Sequence, residues 1–295
     1  MNQGETIVKS ARGTYAVDPK RDPKIFRDLK LPVYPQRESG LKTISAFLTA
    51  RSTMVDGGAH IGTYSVPLSE MCKEVIAFEP SPETFVFLAK NVSLNGRSNI
   101  DARNKGLGAS IGKASLAPLS DGLATSQTID TEHGGSIDVT TLDSEVSRAD
   151  LVKLDIEGME AEALDGAARL IKESRPVFVI EIFPSAMKKH GRSPAEIQRF
   201  LRKRGYGIFL PMESDGPLML GKIPALWILT ILIMPGWFLK GGQSLSYDIV
   251  AVPKEKPMPQ EIYVRSAVSL IIHLILRNLG DKTARLKKWL GMTLR

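Results

Sequence analysis

A chain of 295 residues, 43% hydrophobic and 24% charged, is long enough for one full α/β core with an appendage and too apolar to be disordered. Its single cysteine, Cys72, excludes a disulfide framework, suits a reducing compartment and is expected to serve packing. The net charge of +7 is uneven: residues 254–295 hold nine Lys/Arg against three Asp/Glu, which leaves the rest almost neutral and argues against nucleic acid along a main cleft.

The first ~38 residues are polar and carry Pro19, Pro23, Pro32 and Pro35, so residues 1–38 are predicted to be an irregular arm able to fold over a ligand cleft. They lack an apolar core segment, and no signal peptide is expected. Ser39 to Ala50 reads as a short helix entering a sheet. Strand-like runs then alternate with helical ones. The strands are Met54–Val55, Val75–Phe78, Leu151–Leu154 and Val177–Ile182; the helices are Thr63–Met71, Pro82–Asn95, Met159–Lys172 and Pro194–Arg204. Such alternation predicts a mostly parallel sheet with helices on both faces. Ile208–Leu210 and Asp248–Val252 are expected to close it as an antiparallel pair.

Val55 to Gly62, V-D-G-G-A-H-I-G, joins the first strand to a glycine-rich turn. Gly57, Gly58 and Gly62 carry no Cβ, which lets backbone approach a ligand closely. Seventeen positions after Gly62, Glu79 ends the second strand and is followed by Pro80. That is about the interval at which a βαβ unit sets an acid against ribose hydroxyls, so the pair reads as an adenosine-containing cofactor site. The pattern also fits a loose dinucleotide fingerprint, and a nicotinamide-dependent oxidoreductase is one alternative. Asp56 favours S-adenosylmethionine instead. A carboxylate inside the turn can receive an amino group but would repel a pyrophosphate. Ala59 and His60 complete the turn, with His60 expected to act through its backbone.

The motifs continue in order through Phe78–Pro82 (F-E-P-S-P), Asn91–Asn95 (N-V-S-L-N), Thr141–Asp143 and Lys153–Gly158 (K-L-D-I-E-G). Pro176–Glu181 (P-V-F-V-I-E), Gly205–Tyr206 and Ile249–Pro253 complete them. Over residues 40–253 the chain resembles the FkbM family of S-adenosylmethionine-dependent methyltransferases. The resemblance implies a Rossmann-like class I methyltransferase sheet of seven strands, mostly parallel with the last antiparallel. It also implies S-adenosylmethionine as cofactor and O-methylation of a hydroxyl on a sugar, glycolipid or related metabolite. Two residues depart from the pattern: Gly57 stands where a β-branched residue is usual, and Pro67 either bends the following helix or sits in its first turn. The family pattern lacks the apolar insertion 213–246.

Asp56, Glu79, Asp155 and Glu181 all fall at carboxyl ends of predicted strands, where ligands of such sheets lie. Transfer to an alcohol calls for a general base. Asp155 is the first candidate, followed by Glu157 and Glu181, with Lys153 one pleat from Asp155. Glu157 and Glu160 are equally explained as acids favoured in a helix's first turn. No His or Cys spacing marks a metal site; a divalent ion on Asp155 and Glu181 ranks below a metal-free base. His133 and His190 read as surface residues.

Ile223–Leu239 is uncharged over seventeen residues, with Trp227 and Trp237 inside. It lies between two strands of one sheet, so it is expected to dip into an interface or pack as a lid rather than cross a bilayer. The extension 254–295 carries a second apolar run, Ala267–Leu276, and then Leu286, Trp289, Leu290 and Leu294 bordered by lysines and arginines. That pattern predicts peripheral attachment through 223–239 and 264–295 at the inner face of a membrane, the protein being otherwise cytoplasmic. The acceptor partner is then a small molecule or a glycan- or lipid-linked one. A membrane-tethered scaffold without turnover is the non-enzymatic alternative.

Overall fold

The apolar runs alternate in which face they bury, and this divides the core in two. Met54, Val75, Ala77, Leu151, Val177 and Val179 join one buried cluster. Their immediate neighbours Val55, Ile76, Val152, Phe178 and Ile180 join the other. Successive strand residues point to opposite faces, so strands apolar at every position must be covered on both sides. The computed structural model describes residues 4–32, 35–118, 127–130, 134–212, 219–222, 246–260 and 262–265.

A hairpin of β1 (Thr6–Ser10) and β2 (Gly13–Val17) opens the chain, followed by α1 (Pro23–Leu29) and α2 (Pro35–Ser45). Next come β3 (Thr53–Gly57), α3 (Ser65–Leu68), a 3-10 turn at Ser69–Met71, β4 (Glu74–Phe78), α4 (Pro82–Leu94) and β5 (Ile100–Arg103). Four strands build a separate small sheet: β6 (Gly106–Leu107), β7 (Gly112–Pro118), β8 (Gln127–Asp130) and β9 (Ile137–Thr140). After α5 (Leu142–Glu145) come β10 (Leu151–Leu154), α6 (Glu160–Asp165), α7 (Ala168–Glu173), β11 (Val177–Ile182), α8 (Pro184–Lys189) and α9 (Pro194–Lys203). The chain then adds β12 (Tyr206–Met212), β13 (Met219–Lys222), β14 (Tyr247–Pro253) and β15 (Tyr263–Arg265).

The main sheet runs β15-β13-β12-β14-β11-β10-β3-β4-β5. From β11 to β5 the strands are parallel, and β14 enters antiparallel between β11 and β12. The mostly parallel Rossmann-like plan is as expected, but the described sheet has nine strands rather than seven. The added strands are β13, inside the insertion, and β15, which pairs with it from residues assigned to the C-terminal extension.

Other expectations need correction. Residues 1–38 are not an irregular arm: hairpin β1–β2 and helix α1 occupy most of them, with Pro23 at a helix start, where its missing N–H costs nothing. The helix predicted over Met159–Lys172 is broken between α6 and α7. A Cβ at Gly166 would come within 2.2 Å of the Gly108 carbonyl, so the chain bends where it meets the small sheet. Pro67 sits in the first turn of α3, which is only four residues long. His190 is half-buried, its ring 2.8 Å from Thr128 Oγ1. Most of the insertion, His133 and the runs at 223–239 and 267–295 lie outside the described residues. Among the described ones no helix is long and apolar enough to cross a membrane.

The N-x-x-L-N motif holds the hairpin to the body. The Asn95 amide accepts from Thr14 N at 2.8 Å and donates to Thr14 O at 2.7 Å. Asn91 does the same with Ala16, and its Nδ2 also donates to Ile61 O at 2.8 Å, inside the glycine turn. Two amides four residues apart on α4 therefore complete the free edge of β2 as a neighbouring strand would.

Candidate active site

The carboxyl ends of β3, β4, β10 and β11 lie side by side, and the acids predicted to gather there do so in unequal roles. Asp56 is 0% exposed. One of its oxygens accepts from Lys153 Nζ at 3.0 Å and the other from Ser65 Oγ at 2.6 Å. The expected role of Asp56, receiving a ligand's amino group, is not what the structure shows. Its register partner across the β3–β10 ladder is Lys153, and a buried carboxylate so close to a buried ammonium is committed to it.

Asp155 reaches solvent, with 34% of its side chain exposed and Lys153 Nζ 3.5 Å away; Glu181 beside it is half-buried, and Asp248, the partner of Glu181 on β14, is exposed. Burial alone would raise its pKa, but Lys153 and a hydrogen bond from Glu181 bring it below the usual value. Glu181 moves the opposite way, well above the usual range, because the Asp155 charge and burial both disfavour its ionised form. Of the two, Glu181 therefore holds a proton more readily than Asp155, and its hydrogen bond is directed to the Asp155 carboxylate. Two acids so close cannot both ionise when Lys153 is shared with Asp56.

Glu79 is 7% exposed and tied to the turn rather than facing open solvent. Its Oε2 accepts from His60 N at 3.0 Å and its Oε1 from Ser81 N at 2.9 Å. Burial raises its pKa, against the lowering influence of His60 and the two N–H groups. The carbonyls of Glu79 and Pro80 both accept from Asn104 Nδ2, at 2.8 and 3.1 Å, which fixes the bend after β4.

The glycines make room for protein, not for ligand. A Cβ on Gly58, at φ +74°, would lie 1.8 Å from the Asp155 carbonyl. One on Gly62 would meet Leu88, and one on Gly57 would meet Leu107 and Leu154. Leu107 and Leu154 thus fill the space that a β-branched residue at position 57 would take. His60 and Glu157 adopt φ of +53° and +55°, left-handed conformations uncommon for such residues, on the two turns that flank Asp155. Glu157 is half-buried just ahead of α6. Glu160, 1% exposed, reaches back so that Oε1 accepts from Ile156 N and Gly158 N, both at 3.2 Å.

The turn's donors discriminate between the two cofactor readings. Gly58 N and Ala59 N both donate to Phe78 O, at 3.0 and 2.9 Å, and Gly62 N donates to Ala59 O at 2.8 Å. With His60 N spent on Glu79, these four N–H groups are unavailable to a pyrophosphate, which such loops bind through outward-facing amides. Each Glu79 oxygen, by contrast, accepts one N–H and keeps a lone pair for a hydroxyl. The chemistry of the residues present suits an adenosine ribose and a cationic group beside Asp155, not a diphosphate. Among the described residues no group of three or more His, Cys, Asp or Glu is arranged to hold a metal ion.

The sequence model of the methyltransferase FkbM domain matches residues 56–208, from the buried Asp56 to the start of β12. The chain belongs to the FkbM methyltransferase family. Methyltransferase sdnD of Sordaria araneosa is 26% identical over 203 residues, 55% of this chain and 76% of that protein. Hexuronic acid methyltransferase AglP of Haloferax volcanii is 32% identical over 131 residues, 42% of this chain and 53% of the Haloferax protein. The crystal structure of methyltransferase FkbM from Methylobacillus flagellatus KT aligns with a TM-score of 0.43 at 20% identity, covering 69% of this chain and 44% of that one. The match thus spans about half the length of the Haloferax protein and less than half of the Methylobacillus chain. As an FkbM methyltransferase the protein is an enzyme whose methyl donor is S-adenosylmethionine, and the oxidoreductase and scaffold alternatives are set aside.

Several residues at this site carry no signal in the sequence reading. Ser65, Asn104, Arg21 and Asp22 sit in no recognisable spacing. Asn91 is visible as a motif, but nothing in the sequence says that its amide reaches the glycine turn.

Proposed function

We propose that this FkbM methyltransferase methylates an oxygen, the hydroxyl of a sugar, glycan or related metabolite, with Asp155 taking the proton. The observation that carries the reading is the Asp155–Glu181 pair beside Lys153, at the strand end next to the glycine turn, where the lysine lowers one carboxyl's pKa and the Asp155 charge raises the other's. The name of the Haloferax relative supports a sugar-type acceptor.

When bound, S-adenosylmethionine supplies a methyl group already activated on a sulfonium. The remaining work is alignment and removal of one proton. Glu79, held by His60 N and Ser81 N, receives the ribose hydroxyls on its free lone pairs. With the donor held there, an Asp155 oxygen would take the acceptor hydroxyl's proton as the acceptor oxygen gained the methyl and the sulfur left as a neutral thioether. A carboxylate of lowered pKa suffices, because an oxygen that is gaining a methyl becomes strongly acidic as the bond forms. Glu181, whose ionised form is disfavoured beside the Asp155 charge, orients Asp155 through its hydrogen bond. Proximity of this quality supplies on the order of 7–11 kcal/mol of the barrier.

Asp155→Asn is expected to weaken donor binding in calorimetry by about tenfold at most, the loss of one screened charge, while kcat falls by ~10²–10⁴. Loss of donor binding in that variant would instead assign Asp155 to the donor's amino group. Transfer of labelled methyl from S-adenosylmethionine into a fractionated cell extract, followed by mass spectrometry, identifies the acceptor. Label on nitrogen or carbon would overturn the oxygen reading.

A further inference from the structure

Residues 18–30 precede the family match, yet they press on both sides of the donor loop. Asp18 organises the approach: its Oδ1 accepts from Lys20 N at 2.9 Å and Arg21 N at 3.3 Å, and its carbonyl accepts from Asp22 N at 2.8 Å. The next two residues then diverge. Arg21 Nη2 donates to Ser81 Oγ at 3.2 Å and Thr84 Oγ1 at 3.0 Å, on the cap of α4 directly after Glu79. Asp22 turns the other way, towards His60.

Asp22 stands at the N-cap of α1, where an aspartate ordinarily accepts an N–H of its own helix. It makes no such bond. Its side chain is 4% exposed, and Oδ1 is buried without a hydrogen bond, 3.5 Å from His60 Nε2. A carboxylate that gives up its cap for an ion pair leaves α1 weaker, which calls for a gain elsewhere. His60 offers one, since its left-handed backbone aims the N–H that Glu79 accepts.

We propose that Asp22 is a positioning residue for the methyl donor: by holding the His60 ring it fixes the His60 N–H, and through it the Glu79 carboxylate that meets the ribose. The proposal depends on reading this turn as the donor site. The charged groups facing His60 are Asp22 ahead of α1, Glu79 after β4 and Asp155 after β10. Arg21 in turn faces Glu79, and Lys153 faces Asp155. Burial alone would lower the His60 pKa, but these carboxylates, Asp22 foremost, lift it above the ordinary value. Charge on His60, and with it the grip of Asp22, therefore extends to higher pH than an ordinary imidazole's would and fades as the pH rises further.

The experiment is calorimetric titration of the full chain with S-adenosylmethionine across neutral to alkaline pH. Wild-type affinity should weaken above the His60 transition. Asp22→Asn should bind about tenfold more weakly near pH 7, the scale of one charge-assisted contact, with its alkaline decline moved to lower pH. His60→Gln should lose that decline, and adding Asp22→Asn to it should cost little more. Equal affinity and pH profile in Asp22→Asn, an unchanged decline in His60→Gln, or fully additive losses would each overturn the proposal. Should Asp22→Asn fail to fold, the His60→Gln profile still decides. A wild-type protein that binds no S-adenosylmethionine would refute the donor-site reading itself, a distinguishable result.

Discussion

Lys153 is the cation on which the strand-end acids depend, and removing its charge should unfold the centre of the sheet before it affects chemistry. Lys153→Met keeps the side chain's length and leaves Asp56, 0% exposed, with Ser65 as its remaining partner. Breaking a buried pair by deleting one member costs about 3–5 kcal/mol, because the orphaned charge stays desolvated. That is a large part of the ~5–15 kcal/mol by which domains are stable. The Asp155 contact adds less, since 34% of that side chain is exposed and solvent screens it. Urea denaturation followed by circular dichroism should show a lower midpoint with an unchanged slope. Asp56→Asn combined with Lys153→Met should recover part of the loss, the charge and its partner having left together. A single variant that loses less than about 1 kcal/mol, or a double as unstable as the single, would refute the argument.

Three further outcomes follow from the same geometry. Burial pushes the Glu160 carboxyl up to about 8 from an ordinary 4.5, so between those values the folded protein holds a proton the unfolded chain has released. Stability should then fall by ~1.4 kcal/mol per pH unit as pH rises. Glu160→Gln should remove that slope and gain stability at pH 7, and denaturation at several pH values would show an unaltered slope if the reasoning fails. Glu79→Gln places an amide N–H against His60 N or Ser81 N and weakens ribose binding; calorimetry should show donor affinity reduced by about 10–100-fold. Deleting residues 267–295 should release the protein from anionic vesicles at moderate salt, and equal binding without them would end the membrane-attachment expectation.

The parallel strands were legible because a doubly buried strand must be largely apolar: Val75–Phe78 is so throughout, and Leu151–Leu154 and Val177–Ile182 are so except at Lys153 and Glu181, which belong to the site. The small sheet was not, since strands such as Gly112–Pro118 bury one residue in seven and carry no alternation strong enough to notice. Hairpin β1–β2 was hidden for a related reason: Asn91 and Asn95, some 75–81 residues away, complete its outer edge. At the site, the positions of the acids at strand ends were readable from chain order, but which acid faces solvent was not. That depends on Lys153 standing opposite Asp56 in the β3–β10 register, a property of pairing rather than of either segment.

The same pairing sets the charge that the cleft presents. Lys153 and Asp56 pair in the interior, and the opposed shifts of Asp155 and Glu181 leave Asp155 the more readily ionised of the two. On the proposed reading this suits the methyl donor, whose sulfonium and ammonium outweigh its carboxylate by one positive charge. It also favours turnover, because the demethylated product has lost the sulfonium and with it part of the attraction that held the donor. A neutral Asp155, or a second ionised acid at Glu181, would lose that balance, the first by removing the proton acceptor and the second by holding the donor and product alike too tightly. On that reading the opposed shifts of two neighbouring carboxyl groups serve binding, proton removal and product release together, with the buried Lys153 lowering the one that faces the acceptor.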